Sequence, residues 1–102
     1  MFAAFQREIL KVAEEYGQRF DVKIDQDFTV LKLCEEIGDY AQAVLIHRKK
    51  SKPAKLVSRE ASKKQLANEL ADIVGLAIIN ASLFGVDLEE ALKEKWLRQL
   101  GP

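Results

Sequence analysis

Two pairs of acidic residues at helical spacing constrain this chain more than any other feature. Glu36 and Asp39 form the first pair, and Glu69 and Asp72 form the second, with three residues from one acid to the next in both. On a helix, residues three apart lie one above the other on the same face, so their carboxylates can converge on one ion. The sequence therefore predicts two helices that each present a pair of carboxylates.

An apolar stripe runs beside each pair. At about 100° per residue, the stripes consist of Leu33, Ile37, Tyr40, Ala41 and Val44 in the first helix, and of Leu66, Leu70, Ile73, Val74, Ala77 and Ala81 in the second. If the stripes pack together, the four acids meet at the margin of one core. Bare carboxylates there would repel, which predicts a bound cation, and oxygen-only ligands suit Mg²⁺ or Mn²⁺. The alternative is that both pairs are ordinary solvated faces.

The order of these acids resembles the signature of a known family. Glu35-Glu36-x-x-Asp39 followed by Glu69-x-x-Asp72 is similar to the motif of the MazG-like, all-α nucleoside triphosphate pyrophosphohydrolases, in which the first helix more often reads Glu-Glu-x-x-Glu. The resemblance covers about residues 30–95. It implies an enzyme of nucleotide-pool cleansing that hydrolyses a nucleoside triphosphate or its deoxy form to the monophosphate and pyrophosphate. Mg²⁺ would be required, with Mn²⁺ as a substitute.

The resemblance also implies roles for the acids. Glu36, Asp39, Glu69 and Asp72 would be the metal ligands, and Asp39, shorter than the usual glutamate, would leave room for a bridging water. Glu35 points about a quarter turn away from Glu36, so it would orient or deprotonate the attacking water instead. The alternative for Glu35 is a solvent-facing acid or a partner of Lys32.

Substrate contacts are expected from the second half of the chain. Asn80 would hydrogen-bond a phosphate or a sugar hydroxyl, and Lys95 and Arg98 would bind phosphate. In the family the lysine is often followed by an asparagine and an arginine, but here the chain continues Trp96-Leu97-Arg98, so this end is altered. The flat side chains available for a base are Phe20, Phe28 and Trp96, and the sequence does not identify the base.

The charges are distributed unevenly along the chain. The formal net charge is zero, which argues against a general nucleic-acid binder. However, eight of the sixteen Lys and Arg residues lie between Arg48 and Lys64, with Glu60 as the one acid among them. A basic connection over about residues 48–62 is predicted to be a solvated loop or to order over a triphosphate. The competing function is a non-catalytic, oligomeric helical binding module that uses this segment for an acidic partner or nucleic acid.

The predicted fold is a single all-α domain over residues 1–102, a MazG-type, four-helix bundle-like chain. The helices are expected at about residues 2–19, up to His47, from between Ser58 and Ser62 to Phe84, and from Asp87 to about Arg98. Asp27 or Thr29 would cap the second helix. Gly85 would end the third helix in a left-handed conformation, and Asp87 would cap the fourth.

A chain this short leaves apolar surface to be covered by a second subunit. We therefore expect a homodimer or homotetramer that completes the core and the site. Gly38 and Gly75, placed behind the acids, would allow close helix approach. No apolar run appears long enough to span a bilayer, and the start does not have the form of a signal peptide, so we expect a cytoplasmic protein. Cys34 has no cysteine partner and is expected on the core side of its helix.

A di-iron helical bundle is excluded by its ligand pattern. Such a site needs two Glu-x-x-His motifs. His47 is the single histidine, and Val44, three residues before it, is not an acid.

Overall fold

The computed structural model describes residues 1–97, and every regular element within that range is helical. The helices are α1 (Phe2–Phe20), α2 (Gln26–His47), α3 (Arg59–Leu83) and α4 (Leu88–Leu92). A short 3₁₀ turn, Pro53–Lys55, lies between α2 and α3, and a π-helical segment, Lys93–Leu97, follows α4. The prediction of an all-α chain is confirmed.

Hydrogen-bonding side chains determine where the helices begin. Asp25 caps α2, since its Oδ1 accepts a hydrogen bond from the Phe28 amide at 2.9 Å. The prediction of Asp27 or Thr29 as this cap is wrong, because α2 starts at Gln26 and both residues lie inside it. Ser58 and Asp87 cap α3 and α4, where they accept from the amides of Ala61 and Glu90, respectively.

Left-handed residues end three of the helices. Gly85 has φ 69° and follows α3 as predicted, while Asp21 and Lys49 take φ 51° and 57° after α1 and α2. After α2, the Lys49 amide donates to Ile46 O at 3.0 Å and the Lys50 amide to Leu45 O at 2.7 Å. This is a Schellman motif with lysine at the position that usually holds glycine.

The connection from α1 to α2 folds back against Gly17. The Val22 amide donates to Gly17 O at 2.9 Å. A Cβ at Gly17 would lie 2.9 Å from Val22 O and 3.1 Å from Ile24 Cγ1. Gly17 therefore lies inside α1, which continues to Phe20, and it allows the close approach of the returning chain.

The antiparallel pair α2 and α3 forms the centre of the fold, with α1 packed on α3. Two contacts mark the ends of the pair: Thr29 to Asn80 at 3.1 Å and His47 to Ser62 at 2.7 Å. The most buried positions along it are Thr29, Ala43, Ser62, Ile78 and Ala81. The helices therefore meet largely through small and polar side chains.

The predicted packing of stripe against stripe is wrong for part of each helix. Ile37 is 51% exposed, Leu70 45% and Val74 56%. By contrast, Glu36 and Glu69 are half-buried. The surface through which α2 and α3 contact each other is therefore shifted around both helices, from the apolar stripes toward Glu36 and Glu69. Small residues such as Ala43 and Ser62 let the two helices approach each other there.

A single chain buries very little apolar surface. Within residues 1–97, the buried apolar side chains are Ala43, Ile78 and Ala81. The radius of gyration is 16.2 Å, whereas about 13 Å is typical of a compact chain of 100 residues. Cys34 is exposed, so its expected place in the core is wrong.

Within residues 1–97, one helix is long and apolar enough, by length and composition, to cross a membrane. A window within α3 (Arg59–Leu83) has a mean hydropathy of 1.4 and is 11% buried. The prediction that no apolar run has this length is therefore wrong. By length and composition alone, such a helix resembles the core helix of a soluble protein equally well, and Glu69 and Asp72 both lie on it.

Candidate metal and substrate site

The structure brings the predicted acids together in two groups that share Glu36. One carboxylate oxygen each of Glu36, Glu69 and Asp72 lies within 4.8 Å of the other two. The same is true of Glu35, Glu36 and Asp39 on α2. Glu36 therefore lies between a cross-helix group and a group on its own helix.

The environment of Glu36 disfavours its negative charge. Burial between the helices is the largest cause, followed by the charge of Asp72, a hydrogen bond with Glu69 and the charge of Asp39, and together they raise the pKa of Glu36 from 4.5 to about 7. Removing a carboxylate from water and placing it beside like charges both favour the protonated form. A cation at this position would relieve both effects.

Glu69 contributes a buried oxygen that has no hydrogen-bond partner among residues 1–97. Its Oε2 is inaccessible to solvent and forms no hydrogen bond, and the same holds for Oε1 of Gln65, one turn earlier on α3. Both residues line a small cavity between α2 and α3, together with Asp39 and Gln42. Buried acceptors of this kind normally have a donor or a cation as partner. The donor set thus fits a hard cation such as Mg²⁺, which prefers oxygen ligands.

Glu35 is held by Lys32. Lys32 Nζ donates to Glu35 Oε1 at 2.7 Å, and this bond raises the pKa of Lys32. The side chain of Glu35 is 59% exposed. The ion pair corresponds to the alternative considered for Glu35, and it occupies Oε1 of that carboxylate. The surface pair itself contributes little to stability.

A larger, mostly apolar cavity of about 430 Å³ opens next to the acids between α1, α2 and α3. Glu36 and Asp72 lie on its wall, as do Phe28 and Tyr16, whose ring centroids are 6.5 Å apart. A volume of this size is typical of sites for small organic ligands. Gly75 also lines this cavity, so the prediction that it lies behind the acids is wrong.

The predicted substrate residues lie outside these cavities. Asn80 accepts a hydrogen bond from Thr29 at the far end of the α2–α3 pair and lines neither cavity. Lys95 is exposed in the π-helical segment, which contacts mainly α4. Arg98 lies outside the described residues. The described part of a single chain therefore does not bring Asn80 or Lys95 to the acids.

Three residues line the cavities beside the acids but were not predicted from the sequence to lie there. Tyr16 forms part of the cavity wall, but it lies on α1, far in the sequence from either acidic pair. Gln65 lies one turn before Glu69, a position that helical spacing alone could have identified. Lys32 appeared only as a partner for Glu35, although it also lines the large cavity.

No protein-family model, curated protein or solved structure matches this chain.

Proposed function

We propose that this protein is a Mg²⁺-dependent nucleotide pyrophosphohydrolase that converts a nucleoside or deoxynucleoside triphosphate to the monophosphate and pyrophosphate. The observation that carries the proposal is the group formed by Glu36, Glu69 and Asp72, whose oxygens lie within 4.8 Å of one another across two helices. The resemblance of the acid motifs to the MazG-like family provides the reaction. Nucleotide-pool cleansing in the cytoplasm is the role consistent with that reaction.

In this proposal Glu36, Asp39, Glu69 and Asp72 hold the cation. When bound, Mg²⁺ would neutralise phosphate charge and make a nearby water a better nucleophile. Glu35 would accept the proton of that water at Oε2, because Lys32 already occupies Oε1. Glu36 must lose its proton before it can act as a ligand, so binding of the cation releases a proton.

The large cavity is the place we assign to the base. Its wall provides the ring of Phe28 together with Tyr16, and it shares Glu36 and Asp72 with the acid group. A nucleotide with its base in the cavity would thus carry its phosphates toward the carboxylates. Phe20 is 56% exposed and Trp96 67% exposed, and neither lines this cavity, so Phe28 is the best placed of the three predicted aromatic residues.

The active form is proposed to be a homodimer or homotetramer. The three buried apolar residues of the described chain make a small core, while large apolar side chains on α1, α2 and α3 are about half exposed. Covering Ile37, Leu70 and Val74 with a second copy would complete the apolar core beside the acids. A partner subunit would also be the source of any phosphate contact that Lys95 and Asn80 make.

The decisive experiment is pyrophosphate release from a panel of canonical and modified nucleoside and deoxynucleoside triphosphates. Each would be assayed with Mg²⁺, with Mn²⁺ and with EDTA. Metal-dependent release in the wild-type protein, lost by orders of magnitude in Glu69→Ala, is the expected result. Glu60→Ala is a matched control, because Glu60 is an exposed acid on the same helix, about two and a half turns from Glu69.

Two results would count against the enzyme. No release from any substrate, in protein shown to be helical by circular dichroism, would favour the non-catalytic binding module. Release that persists in Glu69→Ala would mean that the acid group is not the active site.

A further inference from the structure

The end of the α2–α3 pair opposite Thr29 and Asn80 carries an isolated group of positive charges. This basic end consists of Arg48, Lys49, Lys50, Lys52, Lys55, Arg59, Lys63 and Lys64. All eight residues are exposed, and among residues 1–97 none of them forms an ion pair. Against the single acid Glu60, the segment from Arg48 to Lys64 carries a formal charge of +7, so the rest of the neutral chain carries −7.

The fold brings these positive charges closer together in space than their positions along the sequence alone would require. The contact between His47 Nδ1 and Ser62 Oγ, at 2.7 Å, holds the end of α2 against the first turn of α3. The Schellman motif at Lys49 and Lys50 then directs the connection back toward α3. Both helix ends and the loop between them therefore present their cations at one end of the molecule, where they repel one another.

The basic end is separate from the acid group. Arg48 follows Glu36 by twelve residues, which is about 18 Å along a helix. Lys64 precedes Glu69 by five residues on α3, about 7.5 Å along the helix, but it lies about 140° around the helix from that acid. None of the eight basic residues lines either cavity at the acids. The proposed hydrolysis therefore leaves this charged surface unexplained.

We propose that the basic end binds the phosphate backbone of double-stranded nucleic acid without sequence preference. Six of the eight cations are lysines, a residue type depleted at protein–protein interfaces but common in phosphate contacts. Between residues 48 and 64 there is no aromatic residue on which an unpaired base could stack. The large apolar residues there are Leu56 and Val57, too few for the apolar core of a protein interface. The zero net charge argues against a general binder, but the separation of +7 from −7 restricts binding to this end.

The test is fluorescence anisotropy of a labelled 20-base-pair duplex titrated with the full chain. With about four phosphates neutralised, the dissociation constant should weaken about a hundredfold between 50 and 200 mM salt. Two duplexes of unrelated sequence should bind alike. The variant Lys50→Glu, Lys52→Glu, Lys55→Glu should lose at least tenfold in affinity at 50 mM salt.

A matched variant tests whether binding depends on the position of the cations or only on the net charge of the protein. Arg7→Glu, Lys11→Glu, Lys23→Glu changes three exposed cations elsewhere on the chain and alters the net charge by the same amount. It should bind nearly as tightly as wild type. Glu69→Ala should also still bind duplex, which makes this test independent of the proposed hydrolysis.

Three outcomes would overturn the proposal. The first is no binding at 50 mM salt by folded protein. The second is an equal loss in both triple variants, which would indicate a net-charge effect only. The third is equal affinity for a poly-glutamate peptide of the same charge, which would favour an acidic protein partner.

Discussion

The Thr29 hydroxyl lies 3.1 Å from the side-chain oxygen of Asn80, across 51 residues of sequence. It also lies within hydrogen-bond distance of the carbonyl oxygens of Asp25 and Gln26, so these acceptors share its one hydrogen. Thr29 is fully buried. This contact joins the first turn of α2 to the last turns of α3, and thereby fixes how the two acid-bearing helices align. Asn80, expected from the sequence to contact substrate, thus has a structural partner within its own chain.

Replacing Thr29 with valine should lower the free energy of unfolding by roughly 1–2 kcal/mol, because the side-chain oxygen of Asn80 and the carbonyl oxygens of Asp25 and Gln26 lose the hydroxyl that they share. Urea denaturation at one protein concentration would measure the change. Thr29→Ser keeps the hydroxyl and serves as the control. If Thr29→Val is as stable as wild type, the contact does not hold the helices together.

The raised pKa of Glu36 predicts that the metal-free protein is more stable at pH 5 than at pH 8. The folded state holds the Glu36 proton up to a pKa of about 7, whereas the unfolded state releases it near 4.5. Between these values the folded state binds more protons, so stability falls as the pH rises. Glu36→Gln should weaken this dependence and be more stable than wild type at pH 8. Glu14→Gln, an exposed acid on α1, should keep the wild-type dependence; if Glu36→Gln keeps it as well, the assignment is wrong.

Binding of Mg²⁺ should strengthen with pH for the same reason. Below pH 7 the cation competes with the proton on Glu36, so its affinity should rise by up to about tenfold per pH unit and level off above pH 7. Isothermal titration calorimetry of the metal alone, without nucleotide, would measure this. In Glu36→Gln the affinity should be weaker, and its rise toward pH 7 should be lost. A pH-independent affinity in the wild-type protein would contradict the role of Glu36 as a ligand.

Gly38 provides a test for a second subunit. It is exposed in the middle of α2, and a Cβ there would meet no atom within 4 Å. In an isolated chain, Gly38→Ala should therefore raise the free energy of unfolding by about 1 kcal/mol. A decrease in stability, or a change in mass by light scattering in Gly38→Leu, would show that another chain packs closely at this position.

Lys49 holds a conformation that glycine adopts more easily. At φ 57° its Cβ is crowded by the backbone, at a cost of roughly 1–2 kcal/mol. Lys49→Gly should therefore raise the thermal midpoint, while Lys50→Gly, whose φ is not positive, should not. A fall in the midpoint for Lys49→Gly would mean that the lysine side chain stabilises the end of α2 by more than its backbone costs.

The sequence predicted the helices well but the faces that they bury less well. Helix ends depend on local chemistry, so Gly85 and Asp87 could be recognised from their neighbours alone. The cap of α2 was missed, because Asp25 and Asp27 are both suitable and only the path of the chain after α1 selects between them. The stripes containing Ile37 and Val74 were read correctly as apolar, but periodicity does not say which side of a helix faces its neighbour and which remains exposed.

The acids were predicted because their spacing is local to each helix. Their meeting across α2 and α3 depends on the long-range alignment set at Thr29 and Ser62, which the sequence does not encode as a pattern. Tyr16 was missed for a related reason: a residue on α1 becomes part of the cavity only once α1 is folded against α3. The predicted contact of Lys95 with phosphate would need a partner subunit, so it stays a prediction.

The absence of a side chain at Gly17 has a consequence for the large cavity. Ile24, which approaches Gly17 most closely after Val22, is itself part of the cavity wall. Any larger residue at position 17 would push the returning chain outward and displace Ile24 from its place in that wall. The size of the compartment assigned to the base is therefore limited by a position that contacts no ligand, and a change there would alter which molecules fit without touching a single carboxylate.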